Sequence, residues 1–313
     1  MLKIESLIKL SCFFCLFLVL SCNNRNSHKT WAVYRGDGGN SAYSALDEIN
    51  KDNVKQLEVA WTYHTGDAEE GNRSAIQCNP IIVNGRMYIT SPKLKLIALD
   101  AASGKEYWKF YPFEGQEGAG VNRGVTYWED GKDKRIFFSA GSYLYALNAD
   151  DGKLISTFGK DGKVDLREGL GRPPEKLAVA ATSPGVIYKD LLIQGTYVGE
   201  GYDAAPGFIR AYDAKTGNIA WTFHTIPQPG EPGYETWPDG AYKEIGGANN
   251  WAGMSIDESR GIVYIPTGSP AFDFYGGNRK GMNLYGNCLL ALEASTGKLI
   301  WYYQLVHHDL WGA

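Results

Sequence analysis

The sequence predicts an all-β repeat protein, and three observations carry that prediction. The stretch Ala211-Tyr-Asp-Ala-Lys-Thr-Gly-Asn-Ile-Ala-Trp221 recurs in close copies at Ala98–Trp108, Ala146–Ser156 and Ala291–Trp301. Glycine is abundant, with 38 Gly against 13 Pro in 313 residues, and 13% of the chain is aromatic, a profile of turn-rich β structure. Short apolar runs bounded by turn residues fill the intervals between the copies.

Each copy reads as strand, tight turn and second strand. Asp100, Asn148, Asp213 and Glu293 stand at the start of the turn, where a short acceptor side chain takes backbone N–H groups. Gly104, Gly152, Gly217 and Gly297 follow, at a position needing the positive φ that a side chain penalises. Four residues later come Trp108, Trp221 and Trp301, large enough to dock one unit onto the next; Ser156 marks the second copy as degenerate.

The repeat glycines lie 48 (152−104), 65 (217−152) and 80 (297−217) residues apart, room for about four short strands each plus insertions. That spacing suits β-propeller blades and is too long and uneven for the coils of a parallel β-helix. Strand-like runs fall at Pro80–Ile89, Arg135–Ala140, Gly185–Gly195, Gly261–Pro266 and Leu289–Leu292. Gly/Pro-rich insertions fall at 111–124, 159–176, 199–207, 226–247 and 268–287, where function is expected to sit. Blades of roughly 65 residues would need roughly 500 residues for a ring of eight. The expectation is therefore a single domain over 31–313 with about four blades in an unclosed arc, and with residues 31–60 loosely held.

Residues 1–22 carry Lys3 and Lys9 before an apolar run, Leu10 to Leu20, too short to span a bilayer and laid out as an export signal. The ending Val19-Leu20-Ser21-Cys22 resembles a bacterial lipoprotein cleavage box, with Cys22 as the lipidated residue and 23–30 as a tether. A lipid-anchored periplasmic location follows, on the outer membrane by preference. Cys78 and Cys288 remain, and spacing leaves their pairing open. Net charge is −4 with scattered basic residues, which speaks against nucleic acid as a partner.

Six stretches carry a family resemblance: Ala60-Trp-Thr-Tyr-His-Thr-Gly66, Val121-Asn-Arg-Gly-Val-Thr-Tyr-Trp128, Ala181-Thr-Ser-Pro184, Gly246-Gly-Ala-Asn-Asn-Trp251, Phe274-Tyr-Gly-Gly-Asn-Arg279 and Val306-His-His-Asp-Leu-Trp311. With the repeat, they resemble the quinoprotein alcohol and glucose dehydrogenases, eight-bladed propellers that bind pyrroloquinoline quinone (PQQ) beside a calcium or magnesium ion. The resemblance covers essentially all of 31–311. It implies oxidation of an alcohol or aldose, with electrons passed to a separate cytochrome or quinone. The alternative is a non-catalytic propeller lipoprotein of the outer-membrane assembly type, which lacks the Asn122-Arg123-Gly124 and His307-His308-Asp309 motifs.

PQQ is a flat tricarboxylate with an electrophilic quinone, so its site needs a cationic fork, an aromatic platform and a metal. Arg123 suits the fork and matches the family's PQQ-contacting arginine. Trp251 matches the tryptophan on which the ring stacks, and Gln77 and Thr182 match further PQQ contacts. Glu200 matches the acidic metal ligand, and the next ligand position, usually an amide, falls at Ser269. Glu117-Gly118-Ala119-Gly120 stands where the family has a cysteine pair or histidine against the other cofactor face, which implies an open face. The family's catalytic aspartate position is Gly312, with His307, His308 and Asp309 left as support for that loop. The resemblance thus implies an amino-terminal part of such an enzyme, inactive alone.

Overall fold

The structure is a computed structural model, and it describes residues 28–71, 74–113, 115–116 and 118–310. The export signal, Cys22 and the first part of the tether lie outside the described residues, as do Glu117 and Gly312. Among the described residues, eighteen strands form four antiparallel four-stranded sheets and one two-stranded ribbon. The first blade holds β1 (Ile81–Val83), β2 (Arg86–Thr90), β3 (Leu96–Asp100) and β4 (Glu106–Phe110). The second holds β5 (Thr126–Asp130), β6 (Asp133–Ala140), β7 (Tyr143–Asn148) and β8 (Lys163–Asp165). β9 (Val179–Ala180) pairs with β12 (Tyr197–Val198) in the ribbon. The third blade holds β10 (Val186–Tyr188), β11 (Leu191–Gln194), β13 (Ile209–Asp213) and β14 (Ile219–Phe223). The fourth holds β15 (Ser255–Asp257), β16 (Ile262–Pro266), β17 (Cys288–Glu293) and β18 (Leu299–Gln304). One four-residue α-helix, α1 (Ala241–Glu244), lies in the insertion between the third and fourth blades.

The repeat is the third strand, turn and fourth strand of the first, third and fourth blades; in the second, the degenerate copy makes only a Leu147–Leu154 bridge after its turn, and β8 lies beyond it. Ala98 pairs with Trp108, Ala211 with Trp221 and Ala291 with Trp301, each beside a register shift. The carboxylate or amide oxygens of Asp100, Asn148 and Asp213 each accept two backbone N–H groups of their turn. Glu293, one methylene longer, instead accepts from the Ser295 and Thr296 hydroxyls at 3.1 and 2.7 Å. The four glycines have φ between +71° and +75°.

A second reason for glycine emerges from packing. A Cβ at Gly152 would lie 2.5 Å from the Trp108 ring, and one at Gly297 would lie 2.5 Å from Trp221. Each tryptophan covers the repeat glycine of the following blade and donates its indole N–H there, Trp108 to the Ala149 carbonyl and Trp221 to that of Ala294. Burying such a ring removes roughly 200 Å² of mostly apolar surface, about 4–5 kcal/mol as an upper bound. At the degenerate copy, the Gly159 backbone and Val164 sit on Gly217 instead, and Phe158 is fully buried in the joint. Trp128 of β5 makes the indole bond there, to the Lys189 carbonyl.

Two of the strand-like runs divide into hairpins. Pro80–Ile89 turns at Asn84-Gly85, both at positive φ, and Gly185–Gly195 turns at Lys189-Asp190. The middle strands are buried on both faces, with consecutive residues such as Leu96–Leu99, Ile136–Phe138 and Leu192–Ile193 inaccessible, and Leu290 is fully buried in the fourth blade.

The expectation that 31–60 is loosely held needs correction. Residues 31–40 form a strap: Trp31 offers its carbonyl to Ile82 of the first blade at 2.8 Å, and Gly38 offers its own to Ile256 of the fourth at 2.7 Å. Asn40 Nδ2 donates to the Met254 carbonyl. Only residues 43–60 match the expectation, with Ile49, Leu57 and Val59 exposed and one 3₁₀ turn, Val54–Gln56. Trp61 then covers Gly104 as a fourth-strand tryptophan would. Cys78 and Cys288 are both free thiols, and burial pushes that of Cys288 up to about 12.

Candidate cofactor site

In a four-stranded meander, the entry to the first strand and the connection from second to third strand lie at one end of the blade. The repeat turns lie at the other end. The insertions at 111–124, 199–207 and 268–287 all belong to the first end, and there they line a cavity of about 730 Å³. Arg123, Thr182, Glu200, Trp251 and Ser269 share it, contributed by the second, third and fourth blades. Its size is within the range of small-molecule and cofactor pockets.

Arg123 is placed by its backbone, which donates to the Thr182 carbonyl and offers its own carbonyl to Asn79, both at 2.8 Å. Its guanidinium donates to Thr182 Oγ1 at 2.9 Å and lies 5.2 Å from the Trp251 ring centroid. The Trp251 carbonyl accepts from Thr182 Oγ1 at 3.2 Å and Ser183 Oγ at 2.7 Å, so loop and ring are fixed from behind. The indole itself is 47% exposed. An exposed indole, a guanidinium with free donors and a hydroxyl side by side suit a flat polycarboxylate. Asn249 and Asn250 of the same loop instead spend their amides on backbone carbonyls and hold the loop.

Ser269 lines the same cavity as Glu200 and belongs to a hydrogen-bond network. Its hydroxyl hydrogen-bonds the Asp309 carboxylate, and Asn287 Nδ2 donates to both, at 3.2 Å to Ser269 Oγ and 3.3 Å to Asp309. The fully buried Arg279 donates to the Asp309 carbonyl and to Asn283 Oδ1. His308 Nδ1 is 2.9 Å from the Gly281 carbonyl, whereas His307 is exposed with no hydrogen bond among the described residues. The His-His-Asp stretch therefore splits: Asp309 and His308 brace loops, and His307 stands outside that network.

Gln77 does not reach this cavity. It lines an adjoining one of about 340 Å³, on the far side of Ala119, Gly120 and Val121, which border both. These small residues line the cavity together with Trp251, and its described lining holds no sulfur or imidazole. The sequence reading also missed Asp273, which lines the cavity beside Glu200. Burial first, and the Glu200 charge second, push its carboxyl up to about 6, against the pull of Arg279. Its only sequence signal was residence in the 268–287 insertion.

The glucose/ethanol/alcohol dehydrogenase β-propeller (PQQ) family profile matches residues 31–313. The chain belongs to this PQQ dehydrogenase propeller family. It is 33% identical over 309 residues to the quinate/shikimate dehydrogenase (quinone) of Acinetobacter baylyi, covering 90% of this chain and 38% of that protein. It is 34% identical over 320 residues to quinoprotein glucose dehydrogenase A of Acinetobacter calcoaceticus, again covering 90% and 38%. The quinohemoprotein alcohol dehydrogenase structure from Comamonas testosteroni superposes with a TM-score of 0.75 at 26% identity, over 92% of this chain and 43% of that one. The chain thus spans about two fifths of the length of these PQQ dehydrogenases.

Proposed function

We propose that this chain forms the cofactor cradle of a PQQ-dependent dehydrogenase that oxidises an alcohol or aldose and passes electrons to a separate cytochrome or quinone. The observation that carries this reading is the convergence of Arg123, Thr182, Trp251 and Glu200, from three blades, on one cavity. Bound PQQ supplies the electrophilic quinone that accepts a hydride equivalent from the substrate carbon. Arg123 binds a cofactor carboxylate with the guanidinium nitrogens that Thr182 leaves free, and Trp251 gives the ring a platform. Glu200 supplies a hard oxygen for Ca²⁺ or Mg²⁺. At the position of the family's aspartate this sequence has Gly312, which cannot take a proton, so the reading places no base there. Losing a positioned base costs about 10²–10⁴ in rate.

The test is a PQQ titration of the purified chain with calcium, followed by quenching of tryptophan emission, alongside a dye-linked assay with glucose, ethanol and longer alcohols. Saturable quenching without turnover is expected. No quenching would sink the cofactor reading; turnover matching a full-length relative would sink the missing-base reading.

The same reading includes export and lipid anchoring on Cys22, in the periplasm on the outer membrane. It rests on the charged start, short apolar run and Val-Leu-Ser-Cys ending. Among the described residues no helix is long and apolar enough to cross a membrane. Mass spectrometry of the mature amino terminus decides it: a diacylglyceryl-modified Cys22 is expected, and a free terminus elsewhere overturns it.

A further inference from the structure

We propose that Asp273, and not Ser269, joins Glu200 in holding the divalent cation beside the cofactor. The inference deepens the reading above and rests on its metal. The donor set comes first. Neither the Glu200 nor the Asp273 carboxylate has a hydrogen bond or ion pair among the described residues, although both face one cavity. Two like charges on one wall repel, and a divalent cation between them would turn that repulsion into ligation.

Ser269, at the position where the resemblance places the second ligand, has its hydroxyl proton committed to Asp309 and an oxygen lone pair to Asn287. A neutral hydroxyl so engaged is a poor ligand for a hard cation, which favours anionic oxygen. Asp273 is four residues further along the same loop and carries the charge that Ser269 lacks.

The second observation concerns spacing. The Asp273 backbone N–H donates to the Glu200 carbonyl at 3.4 Å, and Tyr202 stacks on Phe272 with centroids 4.6 Å apart and planes 17° from parallel. Tyr202 is two residues after Glu200, and Phe272 immediately precedes Asp273. The stack therefore pins the two acidic loops to each other, and Phe274 meets Phe272 edge-on to extend the brace. These contacts hold the backbones that carry the two acids side by side. No group of three or more His, Cys, Asp or Glu suited to a metal occurs among the described residues. Further ligands would then come from backbone and water oxygens and from the cofactor when bound, as calcium accepts.

The experiment measures cation binding to the whole chain without PQQ, by calorimetry with Ca²⁺ and by sensitised Tb³⁺ luminescence, for which Trp251 in the same cavity is a donor. Wild type should bind one ion. Asp273→Asn should weaken binding at least tenfold, Glu200→Gln comparably, Tyr202→Ala severalfold through loop spacing, and Ser269→Ala less than twofold. Circular dichroism and melting temperature check that each variant folds. Wild-type affinity in Asp273→Asn, equal losses in Ser269→Ala and Asp273→Asn, or no ion bound by wild type would each overturn the proposal. PQQ quenching repeated in chelator separates the two readings: quenching without a cation site sinks this inference alone, and a cation site without quenching sinks the cofactor reading alone.

Discussion

Arg123 and Trp251 show how much a single side chain is asked to do. The guanidinium serves the Thr182 hydroxyl with one nitrogen and keeps others for a ligand, so its removal forfeits a charged hydrogen bond worth about 1.5–3 kcal/mol. Arg123→Ala should weaken PQQ binding roughly 10- to 100-fold in the quenching titration. Arg123→Lys should restore only part, because an ammonium lacks the planar fork. Asp165 gives the pH arm. Burial pushes its carboxyl up, but the Arg167 fork, at 2.9 and 2.6 Å, outweighs it and holds the carboxyl below its ordinary range. A depressed acid stabilises the fold above its unfolded pKa and loses that contribution as pH falls below about 4. Asp165→Asn should therefore cost about 1–2 kcal/mol at pH 7 and flatten the acid limb of a melting-temperature profile; an unchanged limb would refute the assignment.

At the scale of the element, the repeat turn joins two constraints that sequence presents as one. Gly152 needs positive φ for its turn and an absent Cβ for Trp108. Gly131, in the hairpin between β5 and β6, has φ +61° and nothing within reach of a Cβ. Gly131→Ala should cost about 1 kcal/mol, the backbone term alone. Gly152→Ala should cost about 2–4 kcal/mol, since the Trp108 ring must shift as well. Urea unfolding of both variants measures the difference, and equal losses would mean that the tryptophan does not dock as described.

Across the whole molecule, the blades differ in what covers their last strand. Trp108 and Trp221 are 9% and 8% exposed under the next blade, whereas Trp301 is 42% exposed, with Ile300, Tyr302 and Tyr303 also open. Such a contiguous apolar face promotes association. The isolated chain should self-associate with rising concentration in analytical ultracentrifugation. Trp301→Ser with Tyr303→Ser should reduce that association without lowering the melting temperature. The strap of 31–40 acts in the opposite sense, tying the inner edges of first and fourth blades, and deleting it should lower the melting temperature by several degrees.

The sequence by itself determined the blade count, the turn chemistry and most of the cavity's residue types. The first two are local properties: an acceptor, a positive-φ glycine and a short apolar run act within a dozen residues, whereas Arg123, Thr182, Glu200 and Trp251 were legible through the resemblance of their stretches to a family. What only the tertiary structure decided depends on chain segments far apart. Trp31 reaching Ile82 while Gly38 reaches Ile256 is not encoded in any period, so the strap was read as loose. Gln77 matched a motif but lies across a wall of small residues, and Ser269 gave its hydroxyl to Asp309, 40 residues on. Asp273 carried no motif at all. Its position beside Glu200 comes from one aromatic stack and one backbone hydrogen bond between insertions of different blades, and only folding brings those together.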